Sequence, residues 1–129
     1  MTHDLRHILC VDDDSDILEI VQMALEDIGG FRVTGLSSAE TAIGEAARLK
    51  PDLVLVDVMM PGMGGPGLLK AFRARPDLKS LPIIFMTARI QASEVNDYRA
   101  LGADGVIPKP FDPMKLPEQI HAIWEGLHV

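Results

Sequence analysis

The run Asp52-Leu53-Val54-Leu55-Val56-Asp57 sets four apolar residues between two carboxylates. It has no polar alternation and so no water-facing side, as expected of a strand covered on both faces by helices. Pro51 and the pair Pro61-Gly62 bound it. Working outward, runs of the same kind recur at residues 7–11, 31–36, 83–86 and 105–107, and residues 53–56 are the third of five.

Helical patterns fill the intervals. Residues 15–28 carry Ile17, Ile20, Val21, Leu25 and Ile28 as a core stripe and stop at Gly29-Gly30. A second helix starts at Ser37 or Ser38, where Ser37 and Glu40 fit a capping box. The third follows Pro66, and the fourth covers about residues 92–101 before Gly102. The last opens at Asp112-Pro113, with Leu116, Ile120, Ile123 and Leu127 as its stripe. Five β–α units predict an α/β fold: an open, doubly wound parallel sheet in order 2-1-3-4-5, with five helices. A barrel would take eight such units. Ligands of such a sheet bind beyond the carboxyl ends of the strands, beside the first and third.

A chain of 129 residues with 47% hydrophobic and 24% charged residues reads as one globular domain. No apolar run reaches the length of a membrane span, and the polar residues 1–7 contain no apolar signal region, so a cytoplasmic location is expected. A net charge of −7 without a Lys/Arg cluster disfavours nucleic acid as a partner. Cys10, inside an apolar run, reads as a small buried hydrophobe. The dispersed His3, His7, His121 and His128 read as surface or core-edge residues, and Trp124 as core-edge rather than an interface anchor.

The polar residues at the strand ends carry the chemistry. Asp12 and Asp13 follow the first strand, Asp57 closes the third, Thr87 ends the fourth and Lys109 follows the fifth. Asp14 and Asp16 need no special role, since acids favour a helix N-terminus. Asp12, Asp13 and Asp57 do, because carboxylates a few ångströms apart repel by about 4 kcal/mol per pair at an effective dielectric near 20. They must protonate, separate or bind a cation, and an oxygen-only donor set suits Mg²⁺. With Lys109 and Thr87 facing them, the cluster makes a phosphate site in which Asp57 is the nucleophile candidate. A generic metal site is the competing reading at this level.

Four motifs in order resemble the response-regulator receiver domain of bacterial two-component systems. They are Ile8-Leu9-Cys10-Val11-Asp12-Asp13-Asp14, residues 53–65 from Leu53 through Asp57 to Gly65, Ile83-Ile84-Phe85-Met86-Thr87-Ala88, and residues 102–111 around Pro108-Lys109-Pro110-Phe111. The resemblance covers essentially the whole chain and implies a flavodoxin-like fold, residues 1–129 forming a single receiver domain without an output domain. It implies phosphorylation of Asp57, Mg²⁺ held by Asp12, Asp13, Asp57 and the Met59 carbonyl, and phosphoryl binding by Thr87 and Lys109. A cis Lys109-Pro110 bond is implied as well. The donor would be a phosphohistidine on a sensor histidine kinase or phosphotransfer protein. The output would be a protein target meeting the surface of helix 4, strand 5 and helix 5, with neither nucleic acid nor membrane as partner. The domain would catalyse its own phosphorylation and dephosphorylation without being a multi-turnover enzyme.

Three features are set apart from the family's usual pattern. Val106 stands where most receivers carry an aromatic whose inward swing accompanies movement of the hydroxyl residue, and a β-branched valine has no such swing. Gly65-Pro66-Gly67 opens the third helix, where Gly67 predicts a soft first turn. Met59 and Arg89 occupy positions that tend to tune loss of the phosphoryl group; their bulk predicts slow loss, and two solvent-facing residues without kinetic effect are the competing reading. Two other chemistries fit less well. An aspartyl-phosphate phosphatase usually needs a second acid two residues after its nucleophile, where this chain has Met59. A flavin module would cradle phosphate in a Ser/Thr/Gly-rich loop, and Asp12-Asp13-Asp14 would repel it.

Overall fold

The computed structural model describes residues 4–88 and 91–127. Five strands, β1 (His7–Val11), β2 (Arg32–Leu36), β3 (Leu53–Asp57), β4 (Ile83–Thr87) and β5 (Gly105–Pro108), form one parallel sheet in the order β2-β1-β3-β4-β5. The helices are α1 (Ser15–Met23), α2 (Ala39–Leu49), α3 (Gly65–Arg73), α4 (Ala92–Leu101) and α5 (Leu116–Leu127). The period of two along each strand divides the core into two layers. Ile8, Cys10, Leu53, Leu55, Ile84, Met86 and Ile107 face α1 and α5, while Leu9, Val11, Val54, Val56, Ile83 and Phe85 face the side of α2, α3 and Tyr98. Both faces are covered, which is why no strand alternates with polar residues.

The first helix departs from the sequence expectation. Its α-helical part ends at Met23 and continues as a π-helical turn over Ala24–Ile28. A π turn delays the inward phase by about one residue. Ile28, expected in the core, is therefore 45% exposed, and Gly29 takes the inward position. A β-carbon on Gly29 would lie 2.9 Å from the Leu25 carbonyl oxygen, Phe31 Cδ2 and Pro117 Cβ. Gly29 thus adds a close backbone approach to α5 beside the packing of Ala24 and Leu25 against Leu116 and Ile120. Gly29→Ala is expected to cost about 1–3 kcal/mol by overpacking, read as a lower midpoint in urea unfolding. Ile20, also assigned to the core stripe, is 37% exposed and borders a surface groove instead.

Of the two serines expected to start α2, Ser38 is the cap: its hydroxyl oxygen accepts from the Thr41 amide at 3.1 Å, and its hydroxyl donates to Thr41 Oγ1 at 2.8 Å. Glu40 makes no capping box; its carboxylate reaches toward Gly62. Asp112 caps a separate turn, accepting from the Met114 amide, and regular α5 begins at Leu116. Pro117 explains the shift, because a residue without an N–H is tolerated only in the first helical turn. The α5 stripe holds at Leu116 and Ile120, with Ile123 packed at its edge, but Leu127 is 39% exposed. Trp124 is a core residue. His7 is buried, with Nε2 2.8 Å from Thr34 Oγ1. His121 is exposed on α5, while His3 and His128 lie outside the described residues.

Candidate functional site at the carboxyl edge of the sheet

Parallel pairing aligns the strand ends. Val11 pairs with Val56, Asp57 with Met86, and Thr87 with Pro108. The residue following each strand therefore leaves the sheet at one common edge. Asp12, just beyond β1, is fully buried, and its amide donates to the Leu36 carbonyl at 3.1 Å. Its Oδ1 accepts from the Asp14 amide at 2.9 Å, which orients the carboxylate. Asp14 in turn caps α1, accepting from the Asp16 and Ile17 amides.

One carboxylate oxygen from each of Asp12, Asp13 and Asp57 lies within 4.8 Å of the others. That spacing is of the order of the ~4 Å across an Mg²⁺ octahedron with bonds near 2.1 Å. The donors are all oxygen, and Asp13 is exposed, so water can complete a coordination shell. The residues present therefore fit a hard divalent cation. Met59 is the second residue of the loop after β3; its amide lies 3.4 Å from Asp57 Oδ1, and the residue is largely exposed.

Lys109 closes the cluster. Its Nζ donates to Asp12 Oδ2 at 2.9 Å and lies 3.3 Å from Asp57 Oδ1. The backbone holds it there, since the Lys109 amide donates to the Thr87 carbonyl at 2.9 Å; the following Lys109-Pro110 bond is cis, as the resemblance implied. Burial acts to lower the ammonium pKa, but the hydrogen bond to Asp12 and the charges of Asp12 and Asp57 outweigh it and raise it. Lys109 is therefore a permanent cation at neutral pH. Thr87 is buried at the end of β4 on the same edge.

Burial, followed by the charge of Asp12, pushes the Asp57 carboxyl above its ordinary value, with Lys109 opposing in part. A raised folded-state pKa means that the native state holds this proton more tightly than the unfolded chain. The associated stability is present below about pH 4, the unfolded value, and is lost as pH rises through the folded one. Asp57→Asn is therefore expected to melt above the wild type in Mg²⁺-free buffer at pH 7, with the gap closing toward pH 4. Burial also pushes the Cys10 thiol up, so it stays neutral within the core.

Asp12, Asp13, Asp57 and Lys109 thus converge at one edge, Thr87 ends a strand and Met59 follows one at that same edge, and Arg89 lies outside the described residues. Gly67 falls inside the first turn of α3, and Gly64 before it offers no side-chain cap, but the space over Gly67 is filled. A β-carbon there would meet Met63 Cγ at 2.6 Å. Sequence reasoning missed an apolar groove of about 360 Å³ beside Lys109, lined by Ile17, Ile20, Ala88, Pro110, Phe111 and Pro113. Ile17 and Ile20, one turn apart on the helix leaving the site, with Pro110-Phe111 following Lys109, are the signal that would have found it.

Comparisons with known proteins agree with this geometry. Residues 8–121 match the family described as response regulator receiver domain. The chain is 36% identical over 120 residues to chemotaxis protein CheY-3 of Vibrio cholerae, covering 93% of this chain and 92% of that protein. It is 36% identical over 120 residues to the transcriptional regulatory protein CseB of Streptomyces coelicolor, and there it spans about half of the relative's length. The crystal structure of the chemotaxis response regulator CheY4 of Vibrio cholerae superimposes with a TM-score of 0.85 at 29% identity, covering 93% of this chain and 99% of that one.

Proposed function

This chain belongs to the response-regulator receiver domain family, and from that premise we propose that Asp57 accepts a phosphoryl group at the site just described. The observation that carries the reading is the Lys109 ammonium bridging Asp12 and Asp57 beside three converging carboxylates. The donor is a phosphohistidine of a sensor histidine kinase or phosphotransfer protein. An Asp57 carboxylate oxygen attacks phosphorus and forms the new P–O bond. The P–N bond to the imidazole breaks, and its electron pair leaves with the ring nitrogen. Lys109 offsets the charge that accumulates on the phosphoryl oxygens, and the Thr87 hydroxyl donates to one of them. Mg²⁺, held by Asp12, Asp13, Asp57 and the Met59 carbonyl, supplies further neutralisation of those oxygens when bound.

The output is a protein target at the surface of α4, β5 and α5, with no nucleic acid or membrane contact, and residues 1–129 act as one receiver unit in the cytoplasm. No helix among the described residues is long and apolar enough to cross a membrane. The chain catalyses its own modification and turns over no external substrate. Exposed Met59 beside Asp57 obstructs an attacking water, so phosphoryl loss is slow; a Met59→Asn variant should lose the label faster, followed by intact mass over time. The primary test is intact mass after incubation with acetyl phosphate. A single phosphoryl gain that requires Mg²⁺ is expected, and its absence with both acetyl phosphate and a phosphohistidine donor overturns the reading.

A further inference from the structure

Helix α4 is weakly attached. None of its residues is buried, and its N-cap Gln91 makes no capping hydrogen bond among the described residues. Elements with few buried contacts open most readily. The side chain that ties α4 to the core layer is Tyr98, half-buried, whose ring meets Phe85 edge-on at 5.5 Å between centroids and 77° between planes. That is a preferred aromatic geometry.

Phe85 is fully buried on β4, in register with Val56 on one side and Val106 on the other. Its ring also reaches the start of α3. A β-carbon on Gly65 would lie 3.3 Å from Phe85 Cε1, 3.2 Å from the Asp57 carbonyl oxygen and 3.2 Å from Val58 Cα. The Gly65 amide itself donates to the Val58 carbonyl at 3.2 Å. The backbone bearing Asp57, the entrance to α3 and the Phe85 ring therefore meet too tightly to take a methyl group without some shift, and Tyr98 of α4 packs on that same ring.

We propose that Tyr98 is a positioning residue that couples α4 to Asp57 through Phe85: a shift of the Asp57 backbone moves the Phe85 ring, and the ring edge resets the seat of Tyr98. The chain has valine at 106, where no aromatic rotation is available, and this ring pair offers a second path on the neighbouring strand. The inference rests on the reading of Asp57 as acceptor. Interiors are close-packed, so a displaced ring is transmitted rather than absorbed.

The test is hydrogen exchange of the α4 amides with and without beryllofluoride and Mg²⁺, in the wild type, Tyr98→Leu and Tyr98→Phe. Fluorine NMR of the bound beryllofluoride runs alongside. The wild type and Tyr98→Phe should change α4 exchange by about fivefold or more on binding, the lower range of measured site–site coupling. Tyr98→Leu should bind the anion yet show no such change. Circular dichroism reports the fold, and Tyr98→Met replaces the leucine variant if that one melts. A full α4 response in Tyr98→Leu, none in a wild type that binds, or loss of the response in Tyr98→Phe overturns the coupling. Absence of bound beryllofluoride in the wild type overturns the acceptor reading itself, and the coupling with it.

Discussion

Asp57→Asn is expected to gain no phosphoryl group from acetyl phosphate and Mg²⁺ under conditions where the wild type gains one. An amide oxygen is a poor nucleophile toward phosphorus, whereas a carboxylate is a good one once its charge is not fully tied up in pairing. Asp57 meets that condition. Lys109 lies 3.3 Å from it but gives its shorter contact, 2.9 Å, to Asp12. The same variant should be well folded, because asparagine removes a carboxylate that burial and Asp12 already disfavour. Loss of labelling with gain of thermal stability is the joint signature. Labelling of Asp57→Asn at a level near the wild type would move the acceptor elsewhere, and Asp13, exposed on the same edge, would be the next residue to test.

Lys109→Met is expected to act on both chemistry and stability. Removing one preorganised group that offsets transition-state charge typically costs about 10²–10³ in rate, and the labelling rate should fall by that order. Stability should fall as well. Asp12 is fully buried, and with Lys109 gone it faces Asp57 with no cation between them. Breaking a buried ion pair by removing one partner costs about 3–5 kcal/mol, and urea unfolding in Mg²⁺-free buffer should show a loss toward the lower figure. Methionine keeps the length of the stem, so lost packing contributes little. Added Mg²⁺ should recover part of the stability by supplying the missing positive charge, but it should not restore the full labelling rate. Unchanged stability of Lys109→Met without metal would mean that Asp12 is neutralised by some other means.

Much of the site was legible because parallel strands carry a linear code to one place. Each strand of a doubly wound sheet ends at the same edge, so the residue after an apolar run is a site candidate by position alone. Asp12, Asp57, Thr87 and Lys109 were found that way, and the five strands themselves follow from runs with no polar alternation. Composition and order sufficed because both signals are local: a short apolar stretch, then a polar residue. The acids at the start of α1 and the stop of α4 before Gly102 are local in the same sense.

What the tertiary structure decided lies in contacts between segments distant in sequence. Ile28 leaves the core because a π turn lets Gly29 pass Phe31 and Pro117, and the backbone of α1 alone contains no signal for α5 at that point. Lys109 favours Asp12 over Asp57 because Asp12 sits deeper, and a separation of 97 residues carries no information on depth. The junction of Gly65, Phe85 and Tyr98 joins three elements whose approach depends on how helices pack over the sheet. Periodicity shows which face of an element turns inward. Which side chain it meets there follows only from close packing of the whole domain.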